Sequence, residues 1–300
     1  MKNKTRLSMI ISLVAAMFIL SIFSGAAAAQ APDEKYRQSL DKYQNTKKKL
    51  DAAEASFEQA YSKLRNLKDV RSKEELKDIT KNYLLTAIDH TRSHLEVLKT
   101  RVEEGDAGTI PFDASAIIDA HIKELDQIKA NVEAAQTTQD YIAAHRQLKD
   151  LWVKIRLETR YYIGIVLNNR IDKFINKTDN VTKSMDAAIK KLKDNGTDTS
   201  KLEADEDSFN QFVTEAIANQ AETIKLFKAH DGFDINGTLT DANEAKDFLK
   251  QADASQRATI KSLKEASKQV LKFVKDFRQL SRGALKIEGT VTSTLSGKGD

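Results

Sequence analysis

Two groups of residues in this chain have types and spacing suited to chemistry: His90 with His94, and the run from Asp231 to Glu244. Residues four apart share one face of a helix, so two imidazoles at that spacing can hold one metal ion. Neither histidine has a carboxylate three or four positions away, and neither HExxH nor ExxH occurs anywhere. The pair therefore lacks the further ligands of zincin and di-iron sites. Placed against Ile88 and Leu95, it falls at the flank of an apolar stripe and reads by default as two surface histidines. His121, His145 and His230 are isolated in the sequence.

The Asp231–Glu244 run has part of an EF-hand order. Asp234, Asn236 and Gly237 take the third, fifth and sixth places, and Leu239 the apolar eighth. Gly232 stands where the first Asp belongs and Asn243 where the bidentate Glu belongs. Calcium held by Asp234 and Asn236 would be weak, at about 10⁻⁴–10⁻³ M. The two misplaced ligands favour an ordinary helix-linking turn with an Asn-Gly corner. Asn195-Gly196-Thr197 and Asn236-Gly237-Thr238 fit the glycosylation sequon and lie in turns, unlike Asn176 and Asn180, which fall within a helical pattern. Glu203, Asp205, Glu206 and Asp207 gather at a helix start, where acids complement the dipole. No Gly-rich phosphate loop, Ser-His-Asp order or paired-carboxylate motif stands out, so the chain reads as a non-enzyme with no cofactor.

These residues are positioned by helices. Tyr36, Tyr43, Leu50, Phe57 and Leu64 repeat every seven residues in a first helix from Asp33 to Asp69. Ser72-Lys73-Glu74-Glu75 has capping-box spacing for a second, ending near Glu104 before Gly105, Gly108 and Pro111. Asp113 is placed to cap a third. From Thr138 to Asp194 one helical pattern continues with no proline and a single glycine, Gly164. Its apolar stripe rotates near residue 165, from Leu148, Trp152, Ile155, Tyr162 and Val166 to Leu167, Ile171, Phe174, Val181, Met185 and Leu192. A stripe that changes phase implies a change of packing partners, and Gly164 would permit close helix approach there. Ser200-Lys201-Leu202-Glu203 and Asp241-Ala242-Asn243-Glu244 have capping-box spacing for the last two helices, the final one ending near Gly283.

The expected fold is all-α: elongated antiparallel helical bundles sharing one long central helix. Residues 30–164 would form an N-terminal bundle and residues 165–282 a C-terminal three-helix bundle. In residues 283–300, Ile287, Gly289, Val291, Ser293 and Leu295 alternate with polar residues, the pattern of a frayed tail or a single strand.

Lys2, Lys4 and Arg6, the apolar run Leu7–Phe23 and the alanines 26–29 make residues 1–29 a secretory signal peptide, an uncleaved membrane anchor being the alternative. The chain is +4, with 48 basic and 44 acidic residues, so loss of three cations leaves 45 against 44. Both signs are mixed along the sequence, which argues against nucleic acid. With no cysteine, disulfides and thiolate sites are excluded. From Asn169-Arg170-Ile171-Asp172 to Gly196-Thr197-Asp198-Thr199-Ser200-Lys201-Leu202-Glu203, the chain resembles exported prokaryotic helical proteins of unknown function. That resemblance implies an extracytoplasmic bundle and supplies no site. The functional expectation is a secreted or cell-envelope spacer or protein-interaction module whose partner is a protein or an envelope component. A metal- or ligand-binding module using His90/His94 or residues 231–244 is the alternative.

Overall fold

Helix α1 (Glu34–Leu67) buries Tyr43, Leu50 and Ala53 along one stripe and lies antiparallel to α2 (Val70–Glu104). The register is visible in cross-helix pairs: the Arg101 guanidinium donates to the Tyr36 hydroxyl, Lys42 Nζ lies 2.5 Å from Glu96, and Phe57 stacks on Tyr83. A computed structural model provides this view and describes residues 34–67, 70–104 and 109–295. Among these residues every regular element is a helix.

Helix α3 (Ala114–Ala134) is capped by Asp113, whose carboxylate accepts from Ala116 N at 3.0 Å. It runs antiparallel to α2, stitched by Lys99–Asp119, Arg92–Asp126 and Lys129–Asp89. Thr137 and Asp140 then form a reciprocal capping box that starts α4 (Thr138–Asp194), a single helix of 57 residues and about 85 Å. After the turn at Gly196 come α5 (Ser200–Ala229) and α6 (Ala242–Leu295), and the Asp241 carboxylate caps α6 by accepting from Asn243 N and Glu244 N.

Helix α4 serves two cores. Up to Val166 it packs with α1–α3 and with the start of α6 around Leu84, Ile88, Leu125 and Ile155. From Ile171 on, it joins α5 and α6 around Ala216, Leu263, Met185, Leu202 and Phe273. The change of stripe near residue 165 is thus a change of neighbours. Gly164 sits at the crossing, where a Cβ would fall 2.6 Å from the ring of Phe227.

Three expectations are corrected. The alternating tail is helical to Leu295, so α6 passes Gly283 without a break; period-two patterning lost to propagation of a helix already nucleated. Helix α2 begins at Val70, ahead of the expected cap at Ser72, and α5 has Thr199 as its N-cap with Ser200 already helical. Phe174, placed in the buried stripe of α4, is 47% exposed, and Thr178 occupies the buried heptad position instead. The signal segment 1–29, Gly105, Gly108 and residues 296–300 lie outside the described residues.

Candidate functional site

The densest arrangement of chemistry-bearing groups lies at the waist where the two cores meet. Glu158 of α4 is 1% exposed and is flanked by the core residues Leu157, Tyr161 and Tyr162. One carboxylate oxygen is hydrogen-bonded to His121 Nε2 of α3, itself buried. The other accepts from the backbone N–H of Leu239, in the loop between α5 and α6, at 2.9 Å. Three parts of the chain therefore converge on one side chain: a stripe position on α3, one on α4, and a loop folded back onto both. A buried carboxyl group that lost either partner would keep an unsatisfied oxygen in the core, which is costly, so the two contacts act as a clamp.

Neighbouring groups close the same joint. Tyr162 donates its hydroxyl proton to the Gly237 carbonyl at 3.2 Å, and Gln256 of α6 donates to the Gly164 carbonyl at 2.8 Å. Burial raises the Tyr161 hydroxyl to about 12 and pushes that of Tyr162 up as well, with Glu158 adding to the latter, so both remain protonated. Tyr161 stacks on Phe233 at 4.3 Å between ring centroids, and Phe112, Phe227 and Phe248 complete an aromatic cluster around it. Gly237 has φ +79, and its missing side chain leaves room for the Phe112 ring, 2.2 Å from where a Cβ would lie. With both carboxylate oxygens engaged and the tyrosines held neutral, the waist's chemistry is that of a fixed joint.

The EF-hand-like loop is part of this joint. Asp234 spends its Oδ1 on the backbone N–H groups of Asn236 and Thr238, at 2.9 and 2.8 Å, which makes a turn inside the loop. Asn236 is exposed, as is Ile235 beside it at 81%. Among the described residues no group of three or more His, Asp or Glu side chains is arranged to hold a metal ion. The sequon residues Asn195 and Asn236 both lie exposed in turns.

His90 and His94 are not surface histidines. His90 is 2% exposed, stacks on Tyr43 with centroids 4.9 Å apart, and has its Nδ1 3.2 Å from the Thr46 hydroxyl. His94 sits between the rings of Tyr43 and Trp152. Burial lowers both to about 4, with Lys47 adding to the effect at His90 and His90 itself at His94. Both are neutral at pH 7 and serve as packing between α1, α2 and α4. The sequence placed them at the flank because α1, which covers that flank, could not be docked from periodicity alone.

At the far end of the second core, the acids of α5 divide. Asp205 is 1% exposed and pairs with Lys272 at 2.6 Å, while Lys201 pairs with the buried Asp276 at 3.1 Å. Burial raises Glu206 to about 7, aided by the charge of Asp186 across from it. One oxygen each of Asp205, Glu206 and Asp276 is buried without a hydrogen-bond partner among the described residues.

Sequence reasoning missed Glu158 and passed over His121. The available signal was a polar residue on the core-facing stripe of each helix: His121 three residues after Ile118, and Glu158 three after Ile155. Comparison of the chain with protein-family models, curated proteins and solved structures finds no match.

Proposed function

We propose that this chain is a non-catalytic helical spacer, working outside the cytoplasm, that holds two interaction surfaces at a set separation. The observation that carries this reading is the joint at Glu158, which ties α3, the continuous α4 and the α5–α6 loop together. A 57-residue helix shared by two cores and clamped where they meet resists articulation. The lysines, apolar run and alanine block of residues 1–29 support export, and the resemblance of residues 169–203 to exported helical proteins agrees with it.

The absence of cysteine from the chain makes the test direct, because labels can be placed at will. Gln147 and Lys190 are exposed positions on α4, about 65 Å apart along its axis. Spin labels on Gln147→Cys and Lys190→Cys should give one narrow distance distribution near that value, unchanged when the protein engages its envelope partner. A broad or two-peaked distribution would mean a jointed protein, and the spacer reading would be abandoned.

A further inference from the structure

Charges that are mixed along the sequence are sorted in space along α6. Arg257, Lys261, Lys264 and Lys268 follow one another at three- and four-residue steps, and all four are exposed. Lys272, Lys275 and Arg278, also exposed, continue the row, and Lys246 and Lys250 precede it. At 100° per residue these nine cations fall within an arc of about 120° and extend for about 48 Å. Over the same span the acids of α6 are Asp247, Asp253, Glu265 and Asp276; Asp253 falls within the arc but pairs with Arg160 of α4, and Asp276 is buried. Only Lys268 and Lys272 of the row are ion-paired among the described residues. Neighbouring α5 has the opposite balance, with six acids against Lys201, Lys225 and Lys228, so the C-terminal core turns one basic side outward.

We infer that this face of α6 is a docking surface for an anionic lipid bilayer. The row is carried by one exposed face of a single helix, the arrangement with which an interfacial helix lies along a plane, whereas a single-stranded nucleic acid is held in a groove. Seven of its nine cations are lysine, which suits diffuse attraction to a charged surface better than bidentate reading of individual phosphates. Leu271 stands within the row at 72% exposure, and Val274 at its edge is 37% exposed. A soluble polyanion has no use for an exposed leucine among lysines, but an interfacial helix inserts one beside its cations. No helix among the described residues is long and apolar enough to cross a membrane, so the contact is peripheral. This inference stands independently of the spacer reading.

The test is co-sedimentation of the chain from Gln30 onward, which contains every described residue, with vesicles of equal parts phosphatidylglycerol and phosphatidylcholine. Binding is expected to these vesicles, to be absent with phosphatidylcholine alone, and to weaken with added salt, because the Debye length is only about 8 Å at 0.15 M. Each cation near an anionic surface contributes about a fivefold factor, so R257Q/K261Q/K264Q/K275Q should bind at least about a hundredfold more weakly. R37Q/K48Q/K49Q/K149Q makes the same charge change elsewhere and should bind within a few-fold of the parent, and matching circular dichroism melts would show both variants folded. Leu271→Ser should weaken vesicle binding without altering retention on inorganic polyphosphate. Equal losses in the two quadruple variants, equal binding to neutral vesicles, or capture by polyphosphate but not by vesicles would each overturn the proposal.

Discussion

Around Glu158 a fully buried acid has both oxygens engaged, by His121 and by the Leu239 N–H. At the far end of α4's second core, Asp205, Glu206 and Asp276 each keep one buried oxygen without a partner among the described residues. The same helix thus supports a carboxyl group with both oxygens engaged in its middle and half-satisfied acids toward its end. Trp152 Nε1, Arg156 Nε, Thr159 Oγ1 and Arg160 Nε of the middle are also buried without a hydrogen-bond partner among the described residues. The two regions also face protons with opposite sign. In the first core, His90 and His94 are held neutral by burial; in the second, burial and the charge of Asp186 raise Glu206 to about 7. Helix α4 is one covalent element in two environments, tied at the waist through Glu158 and in the distal core through acids paired with lysines that reach solvent.

The largest expected effect breaks the anchor. Glu158→Ala leaves His121 and the Leu239 N–H unpaired in the core and should cost about 3–5 kcal/mol in urea unfolding. Asp205→Ala, which frees Lys272 to solvent instead of stranding its partner in the core, should cost less, about 1–3 kcal/mol. Equal costs for the two would erase the distinction between waist and distal core.

Acid sharpens it next. The His90 value is depressed in the fold, so its contribution to stability is present above the unfolded value of 6.5 and is lost as pH falls through about 4. That loss should be on the order of 3 kcal/mol, with a similar one from His94, so His90→Gln should remove about half of the acid-dependent drop. Trp152 is the single tryptophan and lies against His94, so its fluorescence reports this half selectively. An acid transition by fluorescence that is unchanged in His90→Gln would assign the sensitivity to some other group.

At the crossing, Gly164→Ala pushes a methyl into the Phe227 ring, which is itself held by Tyr161 and Phe248, and should destabilise by about 1–3 kcal/mol. An undiminished melting temperature would show that α4 and α5 can separate there at no cost.

The smallest effect runs the other way with pH. Because Glu206 is raised above its ordinary 4.5, the stability its protonated form supplies is complete below that value and is lost as pH rises through about 7. Glu206→Gln should therefore gain about 1 kcal/mol at pH 8 and little at pH 5. A gain as large at pH 5 would point to packing instead of charge.

Helix boundaries at Asp113, Thr137 and Asp241 were legible because capping chemistry is local: one side chain serves an amide two or three residues away. The 57-residue span of α4 and its change of partners near Gly164 were legible for the same reason, since periodicity is a property of consecutive residues. The tail misled because alternation over residues 287–295 is weak evidence against a long helix arriving from upstream.

What the amino-acid order alone determined is therefore the helical class, the shared spine and most of its punctuation. Tertiary structure decided everything that depends on which helix faces which. It turned His90 from a flank residue into packing against Tyr43, joined His121 to Glu158 across 37 positions, and bent an EF-hand-like loop into the waist. It also gathered the cations of α6 on one outward face, because burial of Leu249, Leu263 and Phe273 against α4 and α5 fixes the rotation of the helix and leaves its lysines only the solvent side.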